Sequence, residues 1–263
     1  MTSESGFPVR YYLDGFNVNF LLGKKVTLKY EGNDCCLHCN SHEDIFRQGL
    51  CKNCFFEQPQ TGDWVMRPEL SKAHLGIEDK DLEFEKKIQL QPHIVYLSYA
   101  GNFKIGVTRK NQIPTRFIDQ GLQQVIVLLE VPNRYLAGVA KLAVERSFSD
   151  KTNWRNMLTG YESVDWNQSY NLFIDAIKSN PEIFDLLKSY IIKRKASISQ
   201  EIIIDFPYNS NKMNLNLKPI LIKKIRSFTG FLTGVKGQYL IFENEYVLNI
   251  RAHEGCIVNF NFY

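Results

Sequence analysis

The chain has 263 residues and a mass of 30.6 kDa, a length that suits about two domains. Its hydrophobic fraction of 44% and charged fraction of 23% exclude wholesale disorder and fibrous architecture. A net charge of +4, from 32 basic and 28 acidic residues, excludes a uniformly basic coat for nucleic acid but leaves room for a local patch.

The longest apolar run, Val125 to Leu129, falls far short of the roughly 20 residues that span a bilayer. The N-terminus has no basic start followed by an apolar run, so the expectation is a cytoplasmic protein with no membrane partner.

In chain order, Val9–Leu13 and Lys25–Tyr30 read as strands, broken at Asp14-Gly15, Gly23 and Gly32-Asn33-Asp34. Five of the six cysteines follow within one short segment, a clustering that points to metal rather than to a disulfide framework. Cys36-x2-Cys39, then eleven residues, then Cys51-x2-Cys54 places two thiolates on each of two tight turns. Together these four close a tetrahedral zinc shell, with sulfurs about 2.3 Å from the ion. Cys35, His38 and His42 are possible substitute ligands, and Cys35 is an alternative to Cys36. A shell of four cysteines leaves no open position, so the expected zinc is structural. Cys256 stands apart and reads as a buried free thiol.

Residues 61–92 are polar, with Pro68 and an acidic run from Glu78 to Glu85, and read as a connector carrying one short helix. From His93 the pattern changes. Ile94–Tyr99 and Phe103–Thr108 read as a hairpin, Pro114 as the start of a helix carrying Arg116, Phe117 and Gln120, and Gln124–Val131 as a fully buried strand. Asn133 caps a helix whose apolar positions, Leu136 to Phe148, recur every three to four residues. Asp165 and Pro181 mark two further helix starts. After Lys195 come short strands at Glu201–Phe206, Thr229–Val235, Gln238–Glu243, Tyr246–Arg251 and Cys256–Phe262, whose even spacing suggests a small barrel to which the N-terminal strands add.

The predicted fold is therefore α+β. Residues 1–60 form strands and a zinc knuckle, 61–92 a connector, 93–160 an α/β sandwich, 161–198 a helical connector and 199–263 a small β-barrel.

Val95-Tyr96-Leu97, then Lys104-Ile105-Gly106-Val107-Thr108, then Arg116 on the next helix, resembles the GIY-YIG nuclease superfamily over about residues 93 to 148. The whole chain also resembles an uncharacterised bacterial family. Its members set a paired CxxC knuckle before such a centre, and carry motifs like Asp119-Gln-Gly121, Asp150-Lys-Thr-Asn-Trp154 and Gly234-Val-Lys-Gly-Gln-Tyr239. The superfamily resemblance implies that Tyr96 lies near an attacking water, that Lys104 takes the place of the second tyrosine, and that Gly106 allows close backbone approach. It further implies that Arg116 binds a scissile phosphate and that Gln120 stands where nucleases often have histidine. The glutamate that should hold Mg²⁺ or Mn²⁺ falls near Lys141; Glu145, one turn later, and Glu130 are the remaining candidates.

From Asn102 to Ile118 there are four basic residues, Lys104, Arg109, Lys110 and Arg116, and no acid. From Lys188 to Arg226 nine basic residues face only Glu201 and Asp205. The leading expectation is a zinc-containing protein that binds structured DNA or RNA through Tyr96, Lys104, Arg109, Lys110, Arg116 and Gln120. The alternatives are a non-catalytic scaffold for a protein partner, and a divalent-metal-dependent endonuclease using Tyr96, Arg116 and Glu145 or Glu130.

Overall fold

The computed structural model describes residues 1–99, 102–145, 147–148, 153–159, 164–191, 201–208 and 216–263, with the backbone alone at 159 and 201. It is a mixed α+β structure in two units. The first comprises Met1–Gln58, Ile118–Gly121 and Asp205–Tyr263; the second comprises Pro59–Phe117 and Leu122–Ile204. Among the described residues no helix is long and apolar enough to cross a membrane.

The N-terminal part of the first unit opens with the antiparallel strands β1 (Thr2–Glu4), β2 (Arg10–Leu13) and β3 (Phe16–Asn17). The ten-residue β4 (Lys25–Asp34) alternates buried Val26 and Leu28 with outward lysines and leads straight into the cysteines. There β5 (Ile45–Arg47) and β6 (Leu50–Cys51) form a hairpin, followed by α1 (Lys52–Glu57). Gln48 and Gly49, both at positive φ, make its two-residue turn, a conformation that suits glycine.

In the second unit, 61–92 holds α2 (Asp63–Met66), α3 (Leu82–Gln89) and short 3-10 turns. The acidic run is drawn into this structure. Buried Glu85 accepts from the backbone N–H of Asp79, Lys80 and Asp81, at 3.0, 2.8 and 3.2 Å. Next come β7 (His93–Tyr99), β8 (Phe103–Arg109), the short helix α4 (Thr115–Asp119), β9 (Gln124–Val131) and α5 (Arg134–Val144). Then follow α6 (Trp154–Thr159), α7 (Trp166–Lys178), α8 (Pro181–Leu187) and β10 (Glu201–Ile203). The sheet has the order β10-β9-β7-β8, antiparallel at each step. One face, with Val95, Leu97, Ile105 and Leu129, is covered by α5 and α7 through Leu136, Ala137, Ala140, Phe173 and Ile177. Both helices begin as predicted, because Asn133 Oδ1 accepts from Leu136 N–H and Asp165 Oδ1 from Asn167 N–H, each at 2.9 Å.

The C-terminal part supplies β11 (Lys218–Pro219), α9 (Ile222–Ile225), β12 (Ser227–Lys236), β13 (Tyr239–Phe242), β14 (Tyr246–Asn249) and β15 (Cys256–Phe262). The expected barrel does not close. The strands form an open sheet, β11-β14-β13-β12-β4-β15, in which β4 joins β12 and β15 as the N-terminal contribution that the sequence suggested. Closure fails at β11, which has two residues, one of them Pro219 without an N–H to donate.

Candidate functional site

The cysteine segment builds a compact sulfur cluster. Cys36 N–H donates to Ser41 O at 2.9 Å and Asn40 N–H to Cys36 O at 2.9 Å, with Asn40 at a φ of 57°, so the first CxxC curls into a tight turn. The hairpin and the start of α1 bring the second pair alongside. The Sγ atoms of Cys36, Cys39, Cys51 and Cys54 all lie within 4.8 Å of one another, and Cys39 to Cys51 measures 3.9 Å. A tetrahedron of sulfurs about 2.3 Å from a central ion has edges of about 3.8 Å, so the donor set fits a thiophilic cation. Cys51 N–H also donates to Cys36 Sγ at 3.3 Å, the outer contact that orients a sulfur ligand.

Burial disfavours the Cys36 thiolate, but N–H groups of Cys39, Cys51 and His38 outweigh it and bring the thiol down to about 6. Ser41 pulls Cys39 down as well. Cys54 moves up, through burial and through Cys51, Cys39 and Cys36 beside it. The alternative ligands are engaged elsewhere. His42 Nδ1 lies 2.9 Å from Asp34 O, His38 Nε2 lies 3.0 Å from Gln58 Nε2, and Cys35 Sγ lies 3.8 Å from Cys36 O. Cys256, expected to be buried, is half-exposed on β15, near Asp34 and Lys223, which themselves pair.

In the second unit Tyr96 is fully buried. Its ring packs edge-on against Phe117, centroids 4.8 Å apart, and lies directly over Gly106, where any Cβ would collide with it. Gly106 therefore admits the tyrosine ring. Lys104 and Arg109 are not brought together. Register pairs Ser98 with Lys104, Tyr96 with Gly106 and His93 with Arg109, so Lys104 shares the Tyr96 face while Arg109 points from the opposite one. Five residues of strand, roughly 17 Å, also separate them along β8.

Arg116 is half-buried on α4, close enough to disfavour the charge of Arg109, which burial already lowers. Lys110 pairs with Glu130 at 2.7 Å, so that glutamate is already engaged. Glu145 is exposed at the end of α5, one turn beyond half-buried Lys141. Gln120 belongs to the first unit, whereas Tyr96, Lys104, Arg109 and Arg116 belong to the second.

Of the basic stretch from Lys188 to Arg226, Lys188 belongs to the second unit and Lys218, Lys223, Lys224 and Arg226 to the first. Lys188 pairs with Asp185 at 2.7 Å, Lys223 pairs with Asp34, and Arg226 stacks on Tyr30 at 5.2 Å. Lys193, Arg194, Lys195 and Lys212 lie outside the described residues, as do Asp150 and Thr152.

Sequence reasoning missed Arg134. It opens α5, and its guanidinium donates from Nε to Trp64 O at 3.1 Å and from Nη2 to Val65 O at 2.7 Å. It also missed Lys236, fully buried beside the Phe206 and Tyr208 rings at 5.6 and 5.9 Å and pushed down to about 7 by burial. The signal for Lys236 was its place in the Gly-Val-Lys-Gly motif. That hairpin meets the Asp119-Gln-Gly121 motif: a Cβ on Gly237 would lie 2.9 Å from Gly121 N, and Gly237 N–H donates to the Tyr11 hydroxyl at 2.9 Å.

No curated protein and no solved structure matches the chain. A family model described as "Protein of unknown function (DUF2797)" matches residues 23–258, a span holding the four-cysteine cluster, the β7–β9 sheet and the Gly-Val-Lys-Gly hairpin. The chain belongs to that family.

Proposed function

We propose that this protein binds DNA or RNA through the second unit, and that the first unit is stabilised by a structural zinc ion held by Cys36, Cys39, Cys51 and Cys54. The observation that carries the nucleic-acid reading is an excess of guanidinium charge around Arg109 and Arg116. Arg116 disfavours the charge of both Arg109 and Arg134, and Arg109 disfavours that of Arg134, so three guanidiniums lie within one another's field. Such a concentration of like charge is stabilised by phosphates. The order strand, strand, helix, strand, helix over 93–144 is the one expected from the sequence for this segment.

Zinc is favoured by the donor set. Four thiols within 4.8 Å suit a soft divalent ion that replaces their protons. The metal supplies a cross-link here, since four sulfurs leave no position for water.

Binding is favoured over cleavage. The Tyr96 ring is buried, Glu130 is paired, and Glu145 is exposed at a helix end. The test is a panel of labelled single-stranded, duplex and branched DNA and RNA, with and without Mn²⁺. Salt-sensitive retention lost in Arg116→Ala supports the proposal. Mn²⁺-dependent cleavage would replace it with the endonuclease reading, and no retention on any substrate would replace it with the scaffold reading.

A further inference from the structure

One end of the β7–β9 sheet carries His93, Arg109 and the start of the helix that Arg134 opens. His93 begins β7, Arg109 ends β8 and Val131 ends β9, and register sets His93 opposite both Arg109 and Val131. The chain turns at Pro132-Asn133, and Arg134 opens the helix whose Leu136, Ala137 and Ala140 pack on the same side of the sheet as His93 and Arg109. Two of the five guanidinium N–H groups of Arg134 are fixed by the Trp64 and Val65 carbonyls, and the Trp64 ring lies 5.4 Å from its guanidinium carbon. The head group is thus locked in place with donors to spare. Arg109 makes no side-chain hydrogen bond or ion pair among the described residues.

Burial lowers Arg134 to about 10, helped by Arg116 and Arg109 and opposed by Glu69. The acid beside it, Glu69, is already engaged with Arg67 at 3.0 Å.

His93 defines the ligand. Its Nδ1 lies 2.7 Å from Gln91 O, and a carbonyl only accepts, so Nδ1 carries the proton. Nε2 is buried and has no hydrogen-bond partner among the described residues. Burial, with Arg134 and Arg109 adding and the Gln91 bond opposing, brings His93 down to about 4, so the ring is neutral at neutral pH. Nε2 then presents a lone pair that needs a donor. Guanidiniums that need oxyanions, beside an imidazole that needs a hydroxyl, match a phosphate that retains one P–OH. A phosphodiester and sulfate have no such proton near neutral pH; hydrogenphosphate keeps one, and a phosphomonoester, whose second pKa is about 6, carries it only as its monoanion.

We propose that this end of the sheet is a site for a protonated phosphate group, free hydrogenphosphate or a phosphomonoester taken up as its monoanion, with Arg109 and Arg134 donating to the phosphoryl oxygens and His93 Nε2 accepting from the P–OH. Its ligand is a terminal phosphate on a nucleic-acid strand or a free phosphate. The inference deepens the nucleic-acid reading, and rests on it only for the first of these sources.

The test is calorimetric titration of the full chain with inorganic phosphate and with sulfate at matched ionic strength and neutral pH. Phosphate is expected to bind at least tenfold more tightly than sulfate. Arg109→Gln should weaken phosphate tenfold or more, and His93→Phe should abolish the preference for phosphate. The Arg109 side chain is half-buried and makes no hydrogen bond or ion pair among the described residues, so its variant keeps the test decisive if His93→Phe fails to fold. Equal affinity for the two anions, or phosphate binding unchanged in Arg109→Gln, would overturn the site. Competition by a 5′-phosphorylated oligonucleotide, but not its 5′-hydroxyl twin, assigns the ligand to a strand end. Phosphate binding without such competition keeps the site for free phosphate and removes the nucleic-acid reading here. Oligonucleotide binding that ignores the terminal phosphate, in a protein that takes up no inorganic phosphate, sinks this inference and leaves the nucleic-acid reading intact.

Discussion

Replacing Gly138 by alanine inverts an ordinary rule. In a helix interior alanine is usually about 1 kcal/mol better than glycine. Gly138 lies in α5, where the helix crosses the turn at 68–70. A Cβ there would overlap Glu69 N and Pro68 C and sit 2.6 Å from Glu69 Cα. Carbon contacts settle at about 3.5–4.0 Å, so the helix must retreat by roughly 1 Å. All three obstacles are backbone, so no side-chain rotation relieves the clash. Overpacking of this kind costs about 1–3 kcal/mol, and the upper half of that range applies to a rigid obstacle. After the helical gain is subtracted, the expected net loss is about 1–2 kcal/mol. The same retreat pulls Arg134 away from the Trp64 and Val65 carbonyls, so phosphate affinity should fall with stability. Urea unfolding followed by tryptophan fluorescence reads the change, since Trp64 is buried beside this contact. Leu142→Ala, on the exposed side of the same helix, should shift stability by no more than about 0.5 kcal/mol. An unchanged or higher midpoint for Gly138→Ala would refute the packing argument.

Two other outcomes follow from the first unit. Elemental analysis should find one zinc per chain, lost on chelation and in Cys51→Ser. The cluster around the cysteines buries only Leu50 besides the thiol side chains, with Ile45 and Phe55 partly covered, so the metal-free knuckle should also become the first site of proteolysis. A metal-free protein with an equally protected knuckle would contradict this. Lys236 is pushed down to about 7 in the folded chain from an ordinary 10.5, so the unfolded chain binds more protons between those values. Stability should therefore rise as pH climbs from about 7, by up to roughly 1.4 kcal/mol per pH unit. Tyr11, Tyr208 and Tyr239 are pushed up by burial and act the other way near pH 10, so the window to measure is pH 7 to 9. A rise that persists unchanged in Lys236→Met would refute the assignment.

Local chemistry was legible wherever one residue decides it. Asn133, Asp165 and Pro181 announce their helices, and Val125–Leu129 announces a buried strand. The paired CxxC spacing names four cysteines whose sulfurs converge. The choice of Cys36 over Cys35 was not legible, because it depends on which thiol the turn to Ser41 and the Cys51 N–H point inward. Long-range pairing leaves no local mark either. Nothing near Thr27 says that it meets Thr229 at 3.0 Å, so an open sheet built from both ends of the chain reads from sequence as a barrel. The basic face was legible as composition but not as geometry. Strand register sends Lys104 and Arg109 to opposite sides, and it is Arg134, hidden in a helix start, that shares a side with Arg109.

The most direct test of a phosphate-binding face at this end of the sheet is the salt dependence of oligonucleotide binding. Each phosphate contact contributes about 0.9 to the slope of log affinity against log salt on duplex DNA. Arg109→Gln should bind more weakly and with a slope shallower by about one. Lys223→Ala, which removes a lysine already paired with Asp34, should leave the slope unchanged. If Arg109→Gln retains the full slope and affinity of the native protein, strand phosphates do not contact Arg109 and the nucleic-acid account is contradicted.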